Sequence, residues 1–511
     1  MRLKDRSKNK QMLINIGAQV LAFAVNICIG FFLTPYIIRT VGSVAYGFVG
    51  LANNFVSYVQ ILTTALNSMA GRFIAISYYK DKMDDVKKYY TSVFFSNVFI
   101  SLVLLVPVIF IIIFIDKIIN VPLEILNDVQ ILWTFIFGTM IVSIVGSIFN
   151  NAAYVKNRLE LVSLRTVESN CLKALILIIS FACFTPKVWY VGMASLVCVL
   201  YVMIINIYYT KMLMPMVEIK KKYFDFMKIK ELVAAGIWNS VAQLGNILST
   251  GLDLLITNLF VGAGPMGIVS LSKVIPTYIQ SLFITVSSVF APQLTISYAE
   301  EDQEGMKQQL SMAMKLMGLF ASIPIAFIAI YGEAFYQLWT PSQNSELLTL
   351  LTCAAVLEYP ISLLIYPLEN VFATFNKVKV SSVVTIITSI CSFFSVMVLV
   401  QIVDSEYIKM LIVVGVSCLY NVIKNGVFVP IFCSRLLNVK AAFFYKILFK
   451  SLISTGVLCG ISYICKRFVV AQSWGTLIIA AIIVSCIGLV INFCFLLEKK
   501  EKSVLFKKFY R

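Results

Sequence analysis

The sequence predicts an all-α protein that crosses a membrane many times. Of its 511 residues, 60% are hydrophobic and only 13% are charged, which leaves too little polar surface to cover a soluble globule. Apolar runs of about eighteen or more residues recur along the whole chain, and each is long enough to cross the hydrocarbon core as a helix. We therefore expect a polytopic membrane protein with fourteen transmembrane helices.

The fourteen predicted spans lie between charged or turn-rich breaks. They start near residues 11, 43, 90, 127, 160, 188, 231, 266, 309, 346, 380, 406, 446 and 473. The basic start of the chain resembles that of a secretory signal, but the apolar run that follows contains Asn15, Gln19 and Asn26 and has no convincing small-residue cleavage site. We expect a retained first helix.

Basic residues orient these spans, because Lys and Arg concentrate in cytoplasmic segments. If the N-terminus is cytoplasmic, 32 of the 42 basic residues fall on the inside and six fall in the outside loops. Lys173, Lys273, Lys315 and Lys424 remain within apolar spans. Both termini are therefore predicted to be cytoplasmic. The net charge of +17 is explained by orientation and does not call for a nucleic-acid partner.

A repeated segment indicates two similar halves. Residues 39–60, RTVGSVAYGFVGLANNFVSYVQ, return 220 positions later as LFVGAGPMGIVSLSKVIPTYIQ. The copies share 12 identities over the 53 positions from Ile16 to Ser68, including Asn26 with Asn246 and Gly42 with Gly262. Six spans separate them, so the halves share one orientation, as in transporters built from parallel repeats. Two parallel six-helix bundles facing a central cleft would suit transport by rocking.

The repeat also predicts the domain organisation. We expect an N-terminal bundle over 1–210, a basic cytoplasmic linker over 211–230, a C-terminal bundle over 231–435, and two further helices with a basic tail over 436–511. The linker alternates lysines with aromatic residues, which suits either a segment lying on an anionic inner leaflet or a solvated tether.

Charged residues inside the spans are the candidate functional residues, since each is costly in hydrocarbon and usually faces a cavity or a partner. Asp253 and Lys273 lie at similar depth on consecutive spans, where the first copy of the repeat has Leu33 and Asn53. They form either a structural pair or a site in which Lys273 binds an anionic substrate and Asp253 tunes it or binds a cation.

Other charged residues within or beside the spans also have either a functional or a structural role. Glu358, two residues before Pro360, is either a site for a coupling H⁺ or Na⁺ or a neutral carboxyl bonded between helices. Arg165, Glu168 and Lys173 form one charged helix face, from which Arg165 could also snorkel, and Arg72 is either a ligand or an interface anchor.

The residue inventory limits the chemistry that the chain can perform. The sequence has no histidine, and its twelve cysteines are scattered singly through apolar runs. Histidine-based metal sites and catalytic triads are therefore excluded, and the cysteines are expected to be small buried apolar residues. We expect no cofactor, no metal and no enzymatic activity.

Two segments resemble one family. Residues 34–75, TPYIIRTVGSVAYGFVGLANNFVSYVQILTTALNSMAGRFIA, are similar to the first hairpin of bacterial polysaccharide-biosynthesis transporters, and YGEAFYQLWTPS over 331–342 matches the pattern of the same family at the end of span nine. These are Wzx-type oligosaccharide flippases of the multidrug/oligosaccharidyl-lipid/polysaccharide (MOP) superfamily, which also contains the MATE exporters and the lipid II flippases.

The resemblance implies a V-shaped, MATE-like pair of bundles in the bacterial cytoplasmic membrane. The substrate would be an oligosaccharide on an undecaprenyl diphosphate carrier, moved to the outer leaflet for capsule, O-antigen or other surface polysaccharide. A diphosphate needs cations or N–H donors. The candidate substrate ligands are Lys273, Arg72, Arg165, Lys173, Asn26, Asn53 and Asn246.

The same superfamily supplies the alternatives. The first span has no carboxylate between Gln11 and Pro35, whereas MATE exporters commonly have one there, which disfavours a cation-coupled drug exporter. Asp253 and Glu358 resemble the cation site of some MATE members and keep that function open. The first span also lacks the charged cluster expected of a lipid II flippase. A membrane glycosyltransferase is disfavoured by the short outside loops and the absence of histidine.

Overall fold

The computed structural model describes residues 8–498 and residue 502, and all regular elements in these parts of the chain are helices. Twelve helical stretches among the described residues are long and apolar enough to cross a membrane, judged by length and composition. The prediction of an all-α, multi-pass membrane protein is thereby confirmed. The spans predicted from residues 43 and 231 correspond to helices outside these twelve, so the count of fourteen stays a prediction.

The backbone divides the described chain into two compact units. Unit 1 contains the described residues up to Ile247 and also Gly262–Gly267, and unit 2 contains Leu248–Val261 and the described residues from Ile268 onward. The predicted division at residues 210, 230 and 435 stays a prediction.

Unit 1 is built from nine helices and the start of a tenth. The nine are α1 (Lys8–Val41), α2 (Ser43–Tyr79), α3 (Met83–Ile113), α4 (Ile115–Ile118), α5 (Leu126–Gly146), α6 (Asn151–Val155), α7 (Leu159–Cys183), α8 (Trp189–Leu213) and α9 (Phe226–Asn246). Short 3₁₀ turns lie at Leu123–Ile125, Ser147–Asn150 and Lys221–Tyr223.

Unit 2 is also built from helices, and more of these helices are interrupted. Its helices are α10 (Asp253–Phe260), α11 (Ala263–Ser272), α12 (Val274–Ser288), α13 (Ala291–Ala299), α14 (Gln303–Trp339), α15 (Ser345–Ala355), α16 (Tyr359–Thr374), α17 (Val378–Ile402), α18 (Glu406–Ile423), α19 (Val429–Leu436), α20 (Ala442–Phe468) and α21 (Trp474–Leu496). The first residues of α11 belong to unit 1. Two π-helical turns lie at Ile247–Gly251 and Lys424–Phe428.

The repeated segment has a local structural basis. Gly42 and Gly262, which the repeat aligns, are the two glycines with positive φ in the described chain, at 87° and 128°. Each directly precedes a helix, α2 in one case and α11 in the other. Because side chains with a Cβ rarely adopt this backbone, glycine is required at both positions.

Two long helices outside the twelve apolar stretches, α2 and α9, pack closely together in unit 1. A Cβ on Gly236 of α9 would lie 2.0 Å from the carbonyl oxygen of Ala65 on α2. The Ser240 hydroxyl donates to the Ile61 carbonyl at 2.9 Å, and the Asn239 amide donates to the Ser68 hydroxyl at 3.1 Å. Small residues and interhelical hydrogen bonds are the usual means of helix association in membranes.

A polar cluster centred on a buried amide joins α2, α3 and the 3₁₀ turn that follows α5 in unit 1. The side chains of Asn67 on α2 and Asn97 on α3 donate to each other at 3.2 and 3.0 Å, and Asn97 also donates to the Ser147 hydroxyl after α5 at 3.0 Å. Asn97 is fully buried. Its hydrogen bonds satisfy amide groups that would be costly to leave unpaired in an apolar interior.

In unit 2, one asparagine attaches the last two helices to α14. The side-chain nitrogen of Asn492 on α21 donates to the Leu319 carbonyl and the Ser322 hydroxyl, both at 2.7 Å. Ser454 on α20 donates to its side-chain oxygen. Since Asn492 is fully buried, it holds α20 and α21 against α14.

Candidate functional site

Two of the predicted charged residues of unit 2, Asp253 and Lys273, are in contact. The Lys273 ammonium forms an ion pair with the Asp253 carboxylate and lies 3.4 Å from the carbonyl oxygen of Thr250. The side chain of Asp253 is 5% exposed, whereas that of Lys273 is 24% exposed. The acid is therefore enclosed by protein, and the cation remains partly open.

Both residues lie where a helix is interrupted. Asp253 is the first residue of α10, directly after the π-helical turn and the bend that end α9. Lys273 separates α11 from α12. Negative charge is favourable at a helix N-terminus, and π-helical turns within α-helices often occur at functional sites.

The first copy of the repeat lacks these interruptions. Leu33, which aligns with Asp253, lies within the continuous helix α1, and Asn53, which aligns with Lys273, lies within the continuous helix α2. The side-chain nitrogen of Asn53 donates to the Val49 carbonyl of its own helix at 2.9 Å. The second copy therefore differs from the first in both charge and backbone at the same two positions.

Glu358 forms a second polar cluster in unit 2. It follows α15, which ends at Ala355, and precedes α16, which has Pro360 in its first turn, so the helix is interrupted as the proline predicts. The buried Glu358 carboxylate accepts a hydrogen bond from the Ser362 hydroxyl at 3.2 Å. Asn425 in turn donates to that hydroxyl at 2.8 Å.

One face of α18 contacts both clusters. The Ser417 side chain lies beside Asp253, and the Asn421 side chain, one helical turn further along, lies beside Glu358. Ser249, in the π-helical turn near Asp253, donates to Asn421 at 3.3 Å. Residues four apart on a helix lie on the same face, so Ser417 and Asn421 link the two carboxylates through a single element.

The candidate cations of unit 1 differ in their partners. Arg165 on α7 forms an ion pair with Glu168 at 2.5 Å and donates to the Tyr201 hydroxyl at 3.1 Å. Lys173 lies on the same helix, near Cys198 of α8. Arg72 on α2 is exposed and has no ion pair among the described residues. Because Arg165 is already neutralised by Glu168, Arg72 is the more available cation.

The candidate amides are dispersed over several helices of unit 1. Asn26 on α1, Asn53 on α2 and Asn246 at the end of α9 are all exposed. Their side chains are accessible to a polar ligand, and the three residues lie on three different helices.

The polar partners of Glu358 were not predicted from the sequence. Ser249, Ser362, Asn421 and Asn425 are uncharged, and such residues are common in transmembrane helices. One signal was available, because Asn421 and Asn425 lie four residues apart and flank Lys424. That spacing places both amides on one helix face.

A family model identifies the family of this chain. The family model described as "Polysaccharide biosynthesis protein" matches residues 12–297, which is more than half of the chain. This chain belongs to the polysaccharide biosynthesis protein family. The family predicted from residues 34–75 is thereby confirmed.

A curated relative matches this family member almost end to end. The "Uncharacterized membrane protein EpsK" of Bacillus subtilis (strain 168) is 29% identical over 498 residues, which is 97% of each chain. The similarity therefore extends beyond the region that the family model covers.

Solved structures share the fold. An inward-facing multidrug resistance MATE family transporter of the MOP superfamily aligns with a TM-score of 0.64 and 14% identity, covering 83% of this chain and 98% of its own. The lipid II flippase MurJ in an inward closed conformation aligns with a TM-score of 0.62 and 14% identity, covering 95% and 99%. At these identities the likeness establishes the fold of this family member and leaves its substrate open.

The Asp253–Lys273 pair predicts a specific stability pattern. Lys273→Gln leaves a buried carboxylate without its cation and is expected to lower the free energy of unfolding by about 3 kcal/mol. In Asp253→Asn/Lys273→Gln both charges are gone, and more than half of that loss should be recovered. Denaturant unfolding of the purified protein in detergent measures both variants. Equal losses in the single and the double variant would show that the two charges are not coupled.

Proposed function

We propose that this chain is a flippase that moves a polyprenyl-diphosphate-linked oligosaccharide from the cytoplasmic to the outer leaflet by alternating access. Membership of the polysaccharide biosynthesis family supports this function. The observation that carries it is the partly open Lys273 ammonium, held by a buried Asp253 carboxylate at interrupted helices. This is a fixed cation suited to the charged part of such a substrate.

The proposal includes the finer topology. The twelve apolar stretches are joined by α2 and by the helical segment from Phe226 to Phe260, giving fourteen spans. Both termini are cytoplasmic, six spans form each of two bundles of parallel orientation, and α20 and α21 are additional. The protein resides in the bacterial cytoplasmic membrane.

The chemistry of a diphosphate explains the arrangement around Lys273. Ionic hydrogen bonds to a phosphate oxygen are strong where water is scarce. In the empty state Asp253 neutralises Lys273 and limits the cost of a charge in the membrane. An arriving diphosphate would bind the Lys273 ammonium together with Asp253 or replace Asp253 as its partner. Asp253 therefore positions the Lys273 side chain and leaves it accessible to the substrate.

Other candidate residues have secondary roles in this proposal. Arg72 is an exposed cation on α2 that suits contact with a phosphate. The exposed amides Asn26, Asn53 and Asn246 suit the hydroxyl groups of sugars, since amides donate and accept hydrogen bonds. Arg165 and Lys173 rank behind them because Arg165 is already paired.

We further propose that a cation, H⁺ or Na⁺, binds at Glu358. The carboxylate lies beside the side chains of Ser362 and Asn421, and the side-chain oxygen of Asn425, whose amide nitrogen donates to Ser362, is buried with no hydrogen-bond partner among the described residues. Hard cations prefer such oxygen ligands. Because α18 contacts both carboxylates, a cation bound at this cluster would change the electrostatic environment of Asp253 and thereby that of Lys273.

Leaflet transfer tests the substrate role of Lys273. The purified protein would be reconstituted into vesicles containing a fluorescent undecaprenyl-diphosphate oligosaccharide, and transfer would be followed by dithionite quenching. We expect the native protein to transfer the lipid and Asp253→Asn/Lys273→Gln to reduce the rate by at least about tenfold, because one strong ionic contact of roughly 1.5–3 kcal/mol is lost. Lys377→Gln, at an exposed lysine, is the control and should retain the native rate.

The same assay separates the proposal from its alternatives. Failure of the native protein to transfer this lipid, or transfer by the double variant at the native rate, would contradict the proposal. Efflux of a cationic dye from the same vesicles, in the absence of lipid transfer, would instead support a cation-coupled multidrug exporter, which the carboxylate cluster at Glu358 also suits.

Glu358→Gln tests the coupling role. We expect the native rate of lipid transfer to rise when an H⁺ or Na⁺ gradient is imposed on the vesicles. The variant should lose that response, because glutamine neither binds a proton in this range nor neutralises Na⁺. Glu369→Gln alters an exposed carboxylate on the same helix and should respond like the native protein. A gradient response that survives in Glu358→Gln would exclude this carboxylate from coupling.

A further inference from the structure

An apolar cavity in unit 1 has no role in the proposed transport. Its volume is 610 Å³, and it lies between α2, α3, the start of α9 and the linker that precedes α9. Of its eleven lining residues, nine are apolar, and the other two are Ser96 and Lys221. A mostly apolar site of this size with a few polar groups is typical of a ligand pocket.

The linker side of this cavity is held in place by hydrogen bonds to α3. The hydroxyl of buried Ser92 donates to the Asp225 carbonyl at 3.1 Å and accepts from the Asp225 amide at 2.9 Å. Thr91, also buried, donates to the Glu218 carbonyl at 3.4 Å. These contacts dock the linker on unit 1, which argues against a freely solvated tether.

The basic residues around the cavity are unequally neutralised. Lys220 pairs with Glu218 at 2.6 Å, and Lys88 pairs with Asp225 at 3.3 Å. The hydrogen bond from Lys220 lowers the pKa of the Glu218 carboxyl below its usual range. Lys221, which lines the cavity, has no acidic partner among the described residues. The cavity therefore combines an apolar interior with one free positive charge.

The rim of the cavity exposes large apolar side chains. Leu62 and Phe99 are 63% and 67% exposed, and Phe226 beside the linker is 69% exposed. Large apolar side chains with this exposure on membrane-spanning helices are suited to contact with hydrocarbon chains. Because apolar cavities do not hold ordered water well, an occupant with a hydrocarbon chain and a negatively charged head is the best match.

We propose that this cavity binds an acyl chain of an anionic glycerophospholipid, with the lipid phosphate at Lys221. The chain lies among the apolar residues of α2, α3 and α9, and the headgroup stays at the level of the linker. Binding adds contacts between the linker and the helices and so fixes the linker at the bilayer surface. This site is independent of the proposed transport function and does not require that function to be correct.

Native mass spectrometry of the full-length protein in detergent tests the site, with phosphatidylglycerol and phosphatidylcholine of identical acyl chains as probes. We expect the native protein to retain phosphatidylglycerol in preference to phosphatidylcholine. Lys221→Gln should reduce the preference by about fivefold, which corresponds to one lysine near an anionic headgroup. The control Lys222→Gln removes the neighbouring exposed lysine, which does not line the cavity, and should change it by less than about twofold.

A second pair of variants tests the cavity itself. Ser96→Phe places a ring inside the cavity and should abolish retention of both lipids, whereas Val106→Phe adds the same bulk at a position of α3 that is 72% exposed and should have no effect. Equal retention of the two lipids by the native protein, or unchanged preference in Lys221→Gln, would overturn the proposal. Displacement of phosphatidylglycerol by an equimolar polyprenyl phosphate would also overturn it, by assigning the cavity to an isoprenoid carrier.

Discussion

Polar groups within a hydrocarbon layer must find their partners inside the protein, and this constraint decides where the helices of this chain meet. In unit 1, the Asn67–Asn97–Ser147 cluster joins α2, α3 and the end of α5. In unit 2, Asn492 attaches α20 and α21 to α14. Asp253 and Lys273 satisfy each other in the same way. The difference is that Lys273 keeps a partly open side, which makes this pair a candidate for function as well as for structure.

The two copies of the repeat differ in backbone and in charge at the positions of the candidate site. In the first copy, helices α1 and α2 pass without a break through the positions of Leu33 and Asn53. In the second copy, the helices are interrupted at Asp253 and Lys273. A break frees backbone groups, and the carbonyl of Thr250 lies 3.4 Å from the Lys273 ammonium. Charge and irregular backbone occur together because each makes the other less costly within a membrane.

Many of the helices and the proximity of Asp253 to Lys273 could be predicted from the sequence, because both depend on strong local signals. Apolar runs placed helix starts close to those observed, for example at Ser43, Leu159 and Trp189, and a charge inside such a run demands a partner. The partners of Glu358 could not be predicted in this way. Ser362, Asn421 and Asn425 are neutral, and only the packing of α18 and the following π-helical turn against α16 brings them together.

The central claim is that the position of the positive charge at Lys273, and not merely the presence of an ion pair, serves the substrate. The reciprocal variant Asp253→Lys/Lys273→Asp tests it, because the pair is retained while the cation moves from a side chain that is 24% exposed to one that is 5% exposed. Leaflet transfer of the undecaprenyl-diphosphate oligosaccharide should be lost although the variant remains folded by circular dichroism and size-exclusion chromatography. Transfer by the folded variant at the native rate would contradict the account.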